Sequence, residues 1–349
     1  MTAGATDQGP AFQCLGRAVQ AVCELNGALL EAAERVHRAG GRLYLTGGAI
    51  RDIFFQREPA DFDLVADLPL TALARLFPQH TPWGQRFRSI RVGVSGMQFE
   101  LTSLRKRGET GGEFAYLDGG DEFSSRSVDE DARLRDLTIH AIYFDLTSGR
   151  LVDPCGGVRD LVARRISFVD SPERSLAHDP VRALRALRVA VRYSLHVAGD
   201  LKAPIQSALR CLGADVRTHY ELYRAVSSGR CEAFLQLLMS ADLTDGFIAT
   251  RWLDASATRE ALLAGARMLD RSETKPLNLE GALATLLLPL VAHRLAETGS
   301  ALPVELAQGA CQALATSVFP NVLTFGQRAS LVSRWLNWHR ARLATNALP

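Results

Sequence analysis

Lysine is almost missing from this chain: only Lys106, Lys202 and Lys275 occur among 40 basic residues. Arginine therefore carries nearly all the positive charge, and its planar fork suits phosphate groups. The formal net charge is only +2. No global cationic field announces a nucleic-acid binder, so any basic surface has to be local. Long hydrophobic runs are missing too. No stretch approaches the ~18–20 apolar residues of a membrane span. The start, Met1 to Pro10, is small and polar, so neither a membrane protein nor a signal peptide is expected. None of the six cysteines is paired as C-x-x-C, and their spacing gives no zinc pattern. Free thiols in a reducing cytoplasm are the expectation. The eight histidines include no H-E-x-x-H, which leaves no helix-borne zinc site. Neither G-x-G-x-x-G nor a P-loop is present, so the common dinucleotide and P-loop nucleotide folds drop out.

What is present is an ordinary globular composition, 47% hydrophobic and 22% charged over 349 residues. At roughly 100–200 residues per domain, two or three domains fit. Residues 11–39 read as one amphipathic helix, with Val19, Val22, Leu25, Leu29 and Val36 apolar. Gly40-Gly41 stops it. Leu43 to Thr46 reads as a strand, Gly47-Gly48 as a turn, and Ala49 to Phe55 as a helix start. Phe62 to Val65 is a second strand, and Thr71 to Phe77 a short helix. Residues 86–104 read as a hairpin turning near Gly96, and 105–130 as a mobile loop. Strands are expected over 138–145 and 151–152. From Pro180 onward the pattern is wholly helical. The expected fold is thus α+β: a head with a small mixed sheet over 1–170, followed by an all-helical remainder over 171–245 and 246–349.

The chemistry concentrates in Gly47-Gly48-Ala49-Ile50-Arg51-Asp52 followed by Asp61-Phe62-Asp63. A strand sends residues i and i+2 to one face, ~6–7 Å apart. Two carboxylates so placed suit divalent cations, and magnesium prefers a few carboxylates plus substrate phosphates. The glycine turn offers backbone N–H groups to phosphate. Taken singly, D-x-D is a common surface pair and Gly-Gly is commoner still. The joint order strand, Gly-Gly, helix, D-x-D strand is far more specific. Glu100 is a third acid on an alternating strand; alone it reads equally well as an edge carboxylate. Arg182, Arg185, Arg188 and Arg192 follow helical spacing, with Ala183, Leu184, Leu187 and Val191 on the buried side. Arg188 and Arg192 read as a solvated basic stripe.

These residues carry a family resemblance. The head resembles the class II tRNA nucleotidyltransferases and bacterial poly(A) polymerases, which are polymerase-β-like nucleotidyltransferases. The first motif matches G-G-x-x-R-D and then D-x-D. Leu134-Arg135-Asp136-Leu137-Thr138-Ile139-His140-Ala141 is similar to the family's R-R-D-F-T-I-N-A. Asp153-Pro154-Cys155-Gly156-Gly157 with Asp160-Leu161 matches D-P-x-G-G…D-L. His178-Asp179-Pro180-Val181-Arg182-Ala183-Leu184-Arg185 resembles E-D-x-x-R-x-x-R. The four motifs run in order over 43–192, and His219 to Leu243 looks like the helical neck. The resemblance implies that Asp61 and Asp63 hold magnesium, with Glu100 as a supporting acid. It implies a nucleotide site of Gly47, Gly48, Arg51, Asp52, Arg135, Asp136, Asp179, Arg182 and Arg185. Asp179 and Arg182 would read the base, since a carboxylate accepts from an exocyclic amine and a guanidinium donates to ring acceptors.

Leu134, His140 and His178 depart from the family pattern, and Tyr116, Asp118 and Gly119 are all that remains of its loop. Gly84-Gln85-Arg86-Phe87-Arg88 partly resembles the G-R-R-F of bacterial poly(A) polymerases. Near the end, Arg328, Arg334, His339, Arg340 and Arg342 stand beside Trp335 and Trp338. They suit RNA backbone contacts or a surface helix anchored by its tryptophans. The implied activity is template-independent addition of C and/or A, from CTP and ATP, to a tRNA or other RNA 3′ end. Poly(A) synthesis is the alternative within the family, and a non-catalytic RNA-binding scaffold the alternative outside it.

Overall fold

The computed structural model describes residues 9–83, 89–106, 124–244, 256–273, 276 and 278–297. The partial G-R-R-F segment 84–88, the loop remnant at 116–119 and the arginine–tryptophan segment 328–342 lie outside these. The chain divides into two compact units, Met1–Ser171 and Pro172–Pro349. The first mixes strands and helices; the described elements of the second are all helical.

The first unit opens with α1 (Pro10–Glu24) and α2 (Gly27–Arg38), not the single helix expected over 11–39. The break falls at Leu25-Asn26. The Asn26 side chain accepts a hydrogen bond from the Leu29 amide at 3.2 Å, which caps α2 and leaves Leu25 in solvent. A side chain that satisfies an orphan amide wins over another helical turn. Next come β1 (Leu43–Thr46), α3 (Gly48–Phe54), β2 (Asp63–Ala66), α4 (Leu70–Leu76), β3 (Thr81–Trp83), β4 (Ser89–Val94) and β5 (Met97–Ser103). Then follow α5 (Val128–Arg133), β6 (Tyr143–Asp145), β7 (Arg150–Val152) and α6 (Gly157–Val162). The strands form one sheet in the order β3-β4-β5-β2-β1-β6-β7. Only β2 and β5 pair in parallel, so the sheet is mixed.

The β4–β5 hairpin turns at Ser95-Gly96, both at positive φ, as a two-residue turn between twisted strands requires. Residues 138–140 form a 3₁₀ turn where a strand was expected. The Asp136 carboxylate accepts from the Leu137 amide (2.8 Å) and pairs with His140 Nδ1 (2.6 Å). Such local bonds compete with a sheet ladder. Helix α5 starts inside the stretch read as loop.

The second unit contains α7 (Pro172–His178), α8 (Val181–Tyr193), α9 (Lys202–Arg210), α10 (Val216–Val226), α11 (Cys231–Ser240), α12 (Ser256–Arg271) and α13 (Leu279–Glu297). Helix α8 is central. Ala183, Leu184, Leu187 and Val191 are buried as the spacing predicts, and so are Ala186, Val189 and Ala190. Helices α9, α10 and α11 all pack on α8, which explains burial well beyond one stripe. No helix among the described residues is long and apolar enough to cross a membrane.

Candidate active site

Register builds the core of the site. Glu100 pairs with Asp63, Asp63 with Thr46, and Thr46 with Tyr143. These four therefore form one row across adjacent strands β5, β2, β1 and β6, on one face of the sheet. Asp61 lies just before the ladder rather than inside it.

The glycine turn closes over this row. Gly47 has φ +75°, and a Cβ there would lie 2.6 Å from Asp63 Oδ2. Only glycine accepts both the conformation and the approach. A Cβ on Gly48 would sit 3.5 Å from Asp61 Oδ1 and 4.0 Å from Arg51 Nη2. Both aspartates thus face the turn. Arg51 is largely buried, and its Nη1 donates to the carbonyls of Gly47 (2.8 Å) and Ile139 (3.2 Å). It ties the glycine turn to the 3₁₀ turn of the second motif. Asp52 is buried within α3.

Asp63 is the electrostatic focus. Burial, then the charges of Asp61 and Glu100, push its carboxyl up to about 6. Arg51 and Arg135 pull the other way without cancelling them. No group of three or more His, Cys, Asp or Glu among the described residues is gathered to hold a metal alone. A half-buried aspartate pressed by two like charges is nonetheless a donor set that gains from a hard cation. That fits an ion held by one or two carboxylates together with substrate phosphates.

Arg135 is fixed by a buried network. Its guanidinium contacts Asp131 Oδ2 at 2.9 Å and the Tyr143 hydroxyl at 3.1 Å, and stacks over the Tyr143 ring. Arg105 Nε donates to Asp131 Oδ1 at 2.7 Å, and Tyr143 donates to Oδ2 at 2.6 Å. Burial alone would raise the Asp131 pKa. Arg105, Arg135 and the bonds from Arg105 and Tyr143 overcome it and hold the carboxyl well below the usual range. Sequence reading missed Arg105, Asp131 and Tyr143. The i, i+4 spacing of Asp131 and Arg135 was the one local signal.

The D-P-x-G-G segment proves to be scaffold. Asp153 accepts from the amides of Gly157 (2.8 Å) and Val158 (2.9 Å) and caps α6. A Cβ on Gly157 would lie 2.3 Å from the Thr138 carbonyl oxygen. Asp160 accepts from Thr138 Oγ1 and Arg165 Nε, both at 2.7 Å. These contacts clamp the 3₁₀ turn that receives Arg51.

Residues 43–167 match the family model described as the poly A polymerase head domain. Poly(A) polymerase I of Salmonella typhimurium is 30% identical over 185 residues, 50% of this chain and 39% of that protein. The CCA-adding enzyme of Anoxybacillus flavithermus is 31% identical over 176 residues, 50% of this chain and 43% of that one. The chain thus matches well under two thirds of the length of these relatives. Among solved structures, the Bacillus stearothermophilus CCA-adding enzyme in complex with CTP aligns at TM-score 0.57 and 22% identity. It covers 97% of this chain and 83% of that one, and shows the fold. A tRNA nucleotidyltransferase complexed with a primer tRNA and an incoming ATP analog aligns at TM-score 0.52 and 25% identity, over 78% of this chain and 80% of that one.

Beyond the matched segment, the second unit holds Asp179, Arg182 and Arg185 around the start of α8. Arg182 Nη1 donates to Ser175 Oγ (2.7 Å), and its Nε lies 3.7 Å from Asp179 Oδ2. Arg185 and Arg188 each donate through Nε to the buried Glu221 of α10 at 2.9 Å. The two guanidiniums overcome the effect of burial and hold the Glu221 carboxyl below its ordinary value. Arg188 is therefore no part of a solvated stripe: it is buried because Glu221 meets it from another helix. His178 is exposed at the end of α7.

Proposed function

We propose that the chain is a template-independent nucleotidyltransferase adding C and/or A, from CTP and ATP, to the 3′ end of tRNA. One observation carries this reading: Asp61 and Asp63 both face the Gly47-Gly48 turn, within the segment that matches the poly A polymerase head domain. The structural neighbours whose descriptions name CTP, tRNA and an ATP analog support the substrates proposed. Poly(A) synthesis is the second reading, supported by the 30% identity to a poly(A) polymerase I. The convergence of two carboxylates on the turn speaks against a non-catalytic scaffold.

In this reading Asp61 and Asp63 hold magnesium and Glu100 supports them. The metal, when bound, would lower the charge barrier between the RNA 3′-hydroxyl and the α-phosphate and stabilise the departing pyrophosphate. Gly47 and Gly48 leave room for the triphosphate against backbone N–H groups. Arg51 keeps that turn in place through the Gly47 and Ile139 carbonyls and adds positive charge. Arg135 supplies a fixed guanidinium near Asp63, and Asp136, paired with His140, borders the sugar site. Asp52 buttresses α3 from inside. Asp179 and Arg182 read the base, while Arg185 supports them through Glu221. The neck at 171–245 is the base-reading part, and 246–349 the RNA-binding body. The reaction belongs in the cytoplasm, where unpaired thiols such as Cys23 and Cys231 stay reduced.

The test is incorporation by the full chain with MgCl₂, using tRNA transcripts ending before CCA, after C and after CC, plus an unrelated RNA. ATP and CTP are supplied singly and together. Addition of C or A confined to tRNA is expected, and it disappears in Asp61→Ala. Long A tails on every RNA select the second reading. Full activity in Asp61→Ala overturns the mechanism.

A further inference from the structure

The base-reading pair has a third member that no sequence motif above contains. Arg217 of α10 donates through Nη2 to Asp179 Oδ2 at 2.5 Å. Arg182 approaches that same oxygen, at 3.7 Å. Both guanidiniums thus lie on one side of the carboxylate, and Oδ1 accepts no hydrogen bond among the described residues. The side chains of Asp179 and Arg182 are mostly buried, at 14% and 11% exposure, and Arg217 is 32% exposed.

Arg217 is itself held in place. Asp215 caps α10, accepting from the amides of Arg217 (2.8 Å) and Thr218 (3.0 Å) and from Thr218 Oγ1 (3.0 Å). That cap fixes the first turn of α10, where Arg217 sits. Deeper in the same helix, Glu221 is locked by Arg185 and Arg188 of α8. The α8–α10 pair is therefore anchored on both sides of the Arg217–Asp179 contact.

We propose that Arg217 is a nucleotide-selecting residue that works through Asp179. By holding Oδ2, it keeps the carboxylate turned so that Oδ1 presents a single acceptor to a base amine. It also keeps Asp179 from closing into a two-pronged pair with Arg182, which would consume the reading surface of both. Arg182 stays directed by Ser175 and remains a donor to the base. An acceptor beside a donor matches the amine and adjacent ring nitrogen of cytosine and adenine, and mismatches guanine and uracil. Losing such a match leaves buried polar groups unpaired, so its effect on selection is large.

This rests on the reading of Asp179 and Arg182 as base contacts, so the experiment separates the two. Equilibrium dialysis measures binding of radiolabelled ATP, CTP, GTP and UTP to the full chain in MgCl₂. The proteins are wild type, Arg217→Ala, Arg217→Lys and Asp179→Ala. Arg217→Ala is expected to weaken ATP and CTP by about tenfold, with GTP and UTP changed far less. Arg217→Lys, which keeps one donor charge, recovers part of the preference. In incorporation assays the loss appears in KM for ATP and CTP more than in kcat. If Asp179→Ala destroys the preference and Arg217→Ala leaves it within twofold, the role of Arg217 is refuted. If Asp179→Ala itself leaves the preference intact, the base-reading assignment falls instead. Thermal melting accompanies each variant; should Arg217→Ala fail to fold, Arg217→Gln, which keeps most of the stem, decides on the same criteria.

Discussion

Asp63 and Glu100 stand opposite each other on the one parallel strand pair of the sheet, with Asp63 also facing Thr46 across β1. Two acids in one cross-strand row cost stability unless a cation joins them. The protein retains them where the glycine turn leaves least room, which is a reason to read the row as a functional rather than a structural feature.

The raised Asp63 carboxyl predicts a pH-dependent cost. Its folded pKa, about 6, lies above the ordinary unfolded value of about 3.9. The associated stability is therefore full below the unfolded value and is lost as pH rises through about 6. Without metal, Asp63→Asn should melt higher than wild type at pH 7.5, by several degrees, and equal it near pH 4. MgCl₂ should raise the melting temperature of wild type and not that of the variant. Differential scanning calorimetry at both pH values checks this; a variant that melts lower at pH 7.5 contradicts it.

Gly47→Ala combines a positive φ with a Cβ 2.6 Å from Asp63 Oδ2. The backbone strain costs about 1–3 kcal/mol. The displaced carboxylate should cost activity far more, by roughly 100-fold or greater, since small misplacements carry that penalty. Melting and kcat measured on one preparation separate the two effects.

Asp131→Asn leaves Arg105 and Arg135 without their buried counter-charge. The expected loss is about 3–5 kcal/mol. The depressed folded pKa means this stability is present above the unfolded value and fades as pH falls below about 4. Denaturation with urea should show the full gap between wild type and variant at pH 7 and a shrinking one under acid. Tyr143→Phe removes one donor to Asp131 and should give a smaller loss, about 1–3 kcal/mol.

Arg185→Ala is expected to lower the melting temperature and to alter the preference for ATP and CTP much less than Arg182→Ala does, because its guanidinium holds Glu221 rather than a base. A change in nucleotide preference as large as that of Arg182→Ala, in a folded variant, would make Arg185 a base contact itself.

The sequence by itself determined the mixed head, the helices described beyond it, the glycine turn and the acidic pair. Each is written in short-range order: Gly47 and Gly48 adjoin the strand they end, and Asp61 and Asp63 lie two residues apart. Period-two and helical spacing are likewise local, so β1 and the buried line of α8 were legible. The break at Asn26 and the 3₁₀ turn after Asp136 were not, because local side-chain hydrogen bonds decide each against the apolar pattern. Tertiary structure alone decided which charges meet. Arg105 reaches Asp131, Glu221 claims Arg185 and Arg188, and Arg217 holds Asp179 from 38 residues away. Buried charges take whichever counter-charge the packing brings near, and packing joins residues without regard to their distance along the chain.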